Sequence, residues 1–161
     1  MKKFIFQAIL LLLVSGVAIF LFRAGPDISS LPFMPEKPVI RQLQINTVTL
    51  KVEVADTKDK RSKGLGGKER LAVDEGMLFI FPQPGEYPFW MKGLTFPLDF
   101  VWIRGDKVVD LTPNVQPPTS GQSDQSLPIY QSKESVDKVL EVNAGTIQRL
   151  DIKVGNTIKI I

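Results

Sequence analysis

From residue 38 to the end of the chain, apolar and polar positions alternate in short runs that Gly, Pro or Asn residues interrupt. That period of two predicts strands. Val39–Ile45 and Thr47–Ala55 read as an antiparallel pair turning at Asn46, with Val48, Leu50, Val52 and Val54 on one face. Asp56-Thr57 ends the second strand and caps a short helix over Lys58–Gly64, which Gly64-Leu65-Gly66-Gly67 breaks. Met77–Phe81, Tyr87–Met91, Asp99–Arg104 and Lys107–Leu111 read as four more strands, the last two joined by the hairpin signal Gly105-Asp106. Thr112–Pro128 has no period and is dense in Pro, Ser and Gln, which predicts a long exposed loop. Val136–Val142 reads as a strand, although Ser132–Leu140 also fits a helix. Gly145–Leu150 makes a short helix, and Thr157–Ile161 a last strand after the Gly155-Asn156 turn. Strands dominate and no βαβ rhythm appears. The expectation is a β-rich α+β fold, a small mixed β-barrel or curled sheet with two or three short helices.

The N-terminal pattern is of another kind. Met1-Lys2-Lys3 precedes Phe4–Phe22, nineteen residues without a charge. A helix of that length rises roughly 28 Å, about the thickness of a bilayer's hydrocarbon core. Two lysines before it and Arg23 after it favour an inside N-terminus and a translocated remainder. The expectation is an uncleaved transmembrane anchor over residues 1–23. A cleaved signal peptide competes, with Gly16-Val17-Ala18 as its small-residue site, but the apolar run continues to Phe22. Residues 24–37, with Pro26, Pro32 and Pro35, form a linker without a period. The globular domain spans 38–161.

Composition narrows the chemistry. The chain has no Cys and no His, which removes disulfides, thiolate nucleophiles, Ser-His-Asp and Cys-His sites, and zinc sites of ordinary composition. No metal and no cofactor is expected. The net charge of +3 shrinks to +1 from Pro38 onward, where 16 Lys and Arg face 15 Asp and Glu. A nucleic-acid partner is therefore not expected. The stretch Lys58–Arg70, with six cations and two anions, reads first as a solvated helix face, and secondarily as a contact for anionic lipid.

Several ordered pieces are more specific than composition. They are Val54-Ala55-Asp56-Thr57, Arg61 with Gly64-Leu65, Gly76-Met77-Leu78-Phe79 with Phe81, and Phe89-Trp90-Met91-Lys92. Pro97-Leu98-Asp99, Leu140-Glu141-Val142 with Ala144-Gly145, and Val154-Gly155 complete the set. On these pieces the domain resembles the family called domain of unknown function 192, from about Leu50 to Ile160. The resemblance implies a compact β-rich fold, often secreted or membrane-anchored in prokaryotes, and brings no established reaction, cofactor or partner. Two departures stand out. Gly66-Gly67 and a later Arg70 replace the family's frequent Met and closely following Arg, and Gly93-Leu94 stand where Asn-Thr is frequent.

Five residues carry candidate chemistry: Arg61, Trp90, Lys92, Asp99 and Glu141. Asp99 stands at the mouth of an apolar strand, where a carboxylate must be hydrogen-bonded or paired. It reads first as an acceptor for turn N–H groups or a partner for a cation, and otherwise as a ligand-binding or general-base group. If Trp90 points inward, period two sends Lys92 to the same face; snorkelling to solvent is the plainer reading for the lysine. Arg61 reads either as tying its loop to a carboxylate, Glu141 or Asp99, or as a ligand-binding cation.

The leading functional expectation is a membrane-tethered extracytoplasmic domain, on the outer side of the cell membrane, that binds a small ligand or an envelope component. One alternative is a hydrolase or lyase with Asp99 and Glu141 as acid and base. The other is a purely structural envelope protein.

Overall fold

Alternation in the first two strands translates directly into a hairpin. β1 (Ile40–Ile45) pairs antiparallel with β2 (Val48–Ala55), and Asn46 takes the turn at φ 53°, a left-handed conformation that Asn tolerates. Leu43, Ile45, Leu50 and Val52 are buried from this pair. The computed structural model describes residues 37–161, so the predicted anchor and nearly all of the predicted linker lie outside the described residues.

The chain next crosses to a parallel neighbour. α1 (Lys58–Lys63) starts at Thr57, whose side chain accepts the N–H of Lys60, and ends at Gly64, whose φ of 51° only glycine adopts easily. β3 (Glu75–Gly85) then lies parallel to β2, with Val52 opposite Gly76. Contrary to expectation, one βαβ-like crossover is present. Its six-residue helix buries no residue, so it carries no apolar period by which a sequence could announce it.

β4 (Leu98–Arg104) and β5 (Lys107–Val115) form the hairpin predicted at Gly105-Asp106. β6 (Val136–Asn143) lies between β4 and β3, antiparallel to both. α2 (Thr146–Arg149) and β7 (Ile158–Ile160) follow, and β7 pairs with β1. The sheet order is β5-β4-β6-β3-β2-β1-β7. At one end its two edges meet: the Val108 N–H donates to the carbonyl of Asn156 at 3.0 Å, and that of Ile158 to Asp106 at 2.8 Å. The result is a curled seven-stranded half-barrel with two short α-helices and a 3-10 turn at Asp124–Ser126.

Two predicted segments differ from expectation. Tyr87–Met91 is not a strand; Pro88 within it has no ladder donor, and only Phe89 makes a bridge, to Tyr130. The predicted loop at Thr112 starts later, because β5 runs on to Val115. Pro113 is tolerated there because β5 is an edge strand. The register shifts between Leu98 and Phe100, and Asn114 takes φ 55° opposite that shift.

The sheet buries both faces. The concave face holds Leu43, Leu50, Val52, Leu78, Val101, Ile103 and Leu140. The convex face packs Phe79, Phe100, Trp102 and Val139 against Leu65, Phe89, Met91 and Leu94, which arrive from the two irregular segments around β3. Phe89 meets Phe79 and Trp102 edge-on, with centroids 4.9 and 5.5 Å apart. Each such aromatic pair contributes about 0.5–1.5 kcal/mol beyond area burial. The indole N–H of the wholly buried Trp102 donates to the Thr112 hydroxyl at 2.8 Å.

Candidate functional site

A cavity of about 850 Å³ opens on the convex face between α1, the glycine turn 64–67, the outer part of β3 and the segment 87–94. Arg61, Trp90, Lys92 and Glu141, four of the five sequence candidates, line it. Asp99 does not.

Asp99 and Glu141 part company because of strand register. Asp99 faces Val142 across the β4–β6 ladder, and Phe100 faces Glu141. Opposed residues share a face and successive residues alternate, so the two carboxyls lie on opposite faces of the sheet. The expected acid–base pair of Asp99 and Glu141 is thereby corrected.

Asp99 is wholly buried, and both its oxygens are occupied. Oδ1 accepts the N–H of Asn114 at 2.8 Å, and Oδ2 accepts the N–H of Ile147 at 2.8 Å. One bond fixes the bulged end of β5, and the other fixes the first turn of α2. Of the two readings offered for Asp99, the acceptor of turn N–H groups is the one observed, and the pairing with Arg61 is not.

Arg61 is a clamp made on backbone. Its Nη1 donates to the carbonyl of Asp56 at 2.6 Å and to that of Ile80 at 2.9 Å, and the guanidinium lies over the Phe81 ring, 5.2 Å from its centroid. The crossover helix is thus pinned to β3 by one hydrogen bond, to Ile80, and a cation–π contact, with Phe81. The expected ion pair with Glu141 or Asp99 is absent, because carbonyls rather than carboxylates lie within its reach.

Trp90 and Lys92 do share a side, though not within a strand, and it is the outer one. Trp90 is 50% exposed, while Phe89 and Met91 point into the core. Lys92 Nζ sits 5.7 Å from the Trp90 ring centroid and 2.6 Å from Asp124 Oδ2. The snorkelled lysine is therefore found, with an acid from the 116–135 loop as its partner.

Glu141 is the unusual member. It is only 3% exposed, and its Oε2 is buried with no hydrogen-bond partner among the described residues. Removal from water pushes its carboxyl from the ordinary 4.5 up to about 8. At neutral pH it is a protonated acid beside an apolar wall, able to donate through its O–H. Behind it, Gly76 lets the β3 and β6 backbones approach: a Cβ there would lie 2.7 Å from the backbone carbonyl oxygen of Glu141, too close for any side chain.

Several participants escaped sequence reasoning. Lys58 and Lys63 of α1 line the cavity, and Tyr87 stacks on Phe81 with centroids 3.6 Å apart. Tyr87 is also held by its hydroxyl, which donates to the carbonyl of Gln83 at 2.7 Å. The basic run over α1 was the available signal for the lysines; nothing in the loop composition singles out Asp124. Among the described residues, no group of three or more acidic side chains is placed to hold a metal. No described helix is long and apolar enough to cross a membrane.

A curled half-barrel with a crossover helix and a side cavity defines a class of small β-rich domain. The profile of the family described as "Uncharacterized ACR", domain of unknown function 192, matches residues 41–160, and the chain belongs to that family. No curated protein matches it. Among solved structures, a candidate transcription regulator from Sinorhizobium meliloti 1021 is similar, with 28% identity and a TM-score of 0.71. That match covers 79% of this chain and 98% of the other. A protein of unknown function from Novosphingobium aromaticivorans DSM 12444 is similar at 26% identity and TM-score 0.65, over 80% of this chain and 89% of the other. The Sinorhizobium chain is almost entirely the matched domain, so a chain consisting of this fold alone is a folded protein.

Proposed function

We propose that the chain is a membrane-tethered extracytoplasmic domain that binds a small ligand or envelope component in the cavity between α1, β3 and the 87–94 segment. The observation that carries this reading is Glu141, a nearly wholly buried carboxyl without a partner on the wall of an open, aromatic-lined cavity. Buried polar groups are ordinarily satisfied, and an apolar pocket with a few placed polar groups is the usual composition of a ligand site. The tether rests on Lys2-Lys3 followed by the uncharged run Phe4–Phe22.

The description of the Sinorhizobium relative does not carry over as DNA binding. The longest described helix has six residues, too short to read a groove, and the domain carries a net charge of +1. A hydrolase built on two carboxylates is disfavoured by their placement on opposite sheet faces.

The test is a thermal-shift screen of residues 38–161 against cell-wall sugars, peptides, nucleotides and organic acids. A ligand of the folded state raises the melting temperature by mass action, and the rise should vanish in Trp90→Ala or Phe81→Ala. Topology is tested separately. Protease added to intact spheroplasts should remove the domain, and full protection would contradict the tether.

A further inference from the structure

Four cations line the cavity, from two separate elements: Lys58, Arg61 and Lys63 of α1, and Lys92 beyond β3. Lys58 and Lys63 have no side-chain hydrogen bond or ion pair among the described residues. The one acid on the wall, Glu141, is the buried carboxyl, and the only acid paired with any of the four among the described residues is Asp124, at the edge against Lys92. Between the cations the wall is aromatic, with Phe79, Phe81 and Phe89 at its base. One acid oxygen already sits at the cavity edge: Asp124 Oδ2 lies 2.6 Å from Lys92 Nζ, so a carboxylate is accommodated beside Trp90. Cations at the rim, aromatic rings within and an unspent polar group on the wall describe complementary chemistry in an occupant.

Resting on the reading of this cavity as a binding site, we infer that its occupant is an amphipathic organic anion. The aromatic or apolar body lies against Phe81 and Phe89, the acid group lies among Lys58, Lys63 and Lys92, and Glu141 donates a hydrogen bond to an oxygen of the body. Electrostatic focusing by clustered cations around a low-dielectric wall favours the anionic partner over a neutral one of equal shape. The Lys92–Asp124 bridge is then an internal competitor, which the incoming acid replaces.

Naphthalene-2-sulfonate and the neutral naphthalene-2-sulfonamide form a pair of probes with the same body and different charge. Calorimetric titration of residues 38–161 should give one saturable sulfonate site, at least about tenfold tighter than the sulfonamide. Lys58→Gln with Lys63→Gln should bring the two affinities together by weakening only the sulfonate. Asp124→Asn should strengthen the sulfonate several-fold, the opposite sign, which loss of folding cannot mimic. A free organic acid and an anionic lipid share this chemistry. Pelleting with phosphatidylglycerol vesicles, reversed by the sulfonate, assigns the occupant to a lipid; a protein left in the supernatant assigns it to a free acid. Equal affinity for the two probes overturns the anionic occupant while leaving the cavity a binding site. Binding of neither by a cooperatively folded domain overturns the occupant and removes the support for the cavity itself.

Discussion

Two buried carboxyls one ladder step apart have opposite circumstances. Asp99 sits on the concave side with an N–H on each oxygen, from Asn114 and Ile147. Glu141, opposite Phe100 on the next strand, faces the convex side with no partner for its Oε2. Burial is shared, so burial does not separate scaffold from site; satisfaction does. A carboxylate that accepts backbone N–H groups organises the chain around it. One left unsatisfied destabilises the fold, and such groups concentrate where binding or catalysis later uses them.

The largest expected effect sharpens this contrast through pH. Glu141 titrates near the ordinary 4.5 when unfolded and at about 8 when folded. Between those values the unfolded chain has released its proton and the native one has not, so raising the pH favours unfolding. Its stabilising contribution is complete below about pH 4.5 and is lost by about pH 8, amounting to about 3–5 kcal/mol. Glu141→Gln should abolish that part of the pH dependence, measured as the difference between wild-type and variant denaturant melts from pH 5 to 9. A difference that stays constant across the range would break the comparison.

Asp99→Asn should act in the opposite direction. An amide offers one acceptor, and its NH2 is turned toward a backbone N–H, so one buried donor loses its partner. Destabilisation of about 2–4 kcal/mol is expected. Amide exchange should accelerate first at Asn114 and Ile147, because those are the N–H groups released.

Arg61→Gln comes next. Loss of the bonds to the carbonyls of Asp56 and Ile80, and of the contact with Phe81, should lower stability by about 1–3 kcal/mol. The same variant should loosen α1 and weaken any cavity ligand. Lys92→Gln is the smallest: its bridge to Asp124 is solvent-exposed on both sides, so the unfolding free energy from urea melts should change by no more than about 0.5 kcal/mol. A large loss there would mean that the 116–135 loop is held by that bridge.

Much of the architecture could be read from the chain because it rests on local signals. Asn46, Gly105-Asp106 and Gly155-Asn156 mark their turns whatever surrounds them, and the alternation of Val48 to Val54 fixes which side of β2 is buried. The crossover through α1 was not legible, since parallel pairing of β2 with β3 is a long-range choice and a six-residue helix shows no period. Tyr87–Met91 misled because its apolar residues serve an irregular, Pro-broken segment packed on the sheet rather than a strand within it.

The site was legible as residue types and not as geometry. Arg61, Trp90, Lys92 and Glu141 stand out as charged or aromatic residues in apolar surroundings, and they do meet at one cavity. That Asp99 belongs elsewhere depends on the β4–β6 register, which pairs it with Val142 and which no local pattern specifies. Arg61 was assigned a carboxylate because arginine often takes one. The carbonyl of Ile80, nineteen residues away, was invisible from the sequence.

The most direct measurement is a pair of denaturant melts of residues 38–161 at pH 8.5, with Asp99→Asn and Glu141→Gln each set against wild type. Opposite signs are predicted: Asp99→Asn less stable, and Glu141→Gln more stable because it no longer carries a buried, unpaired charge. Destabilisation by both substitutions to a similar extent would contradict the account, since Glu141 would then be held by the fold as Asp99 is.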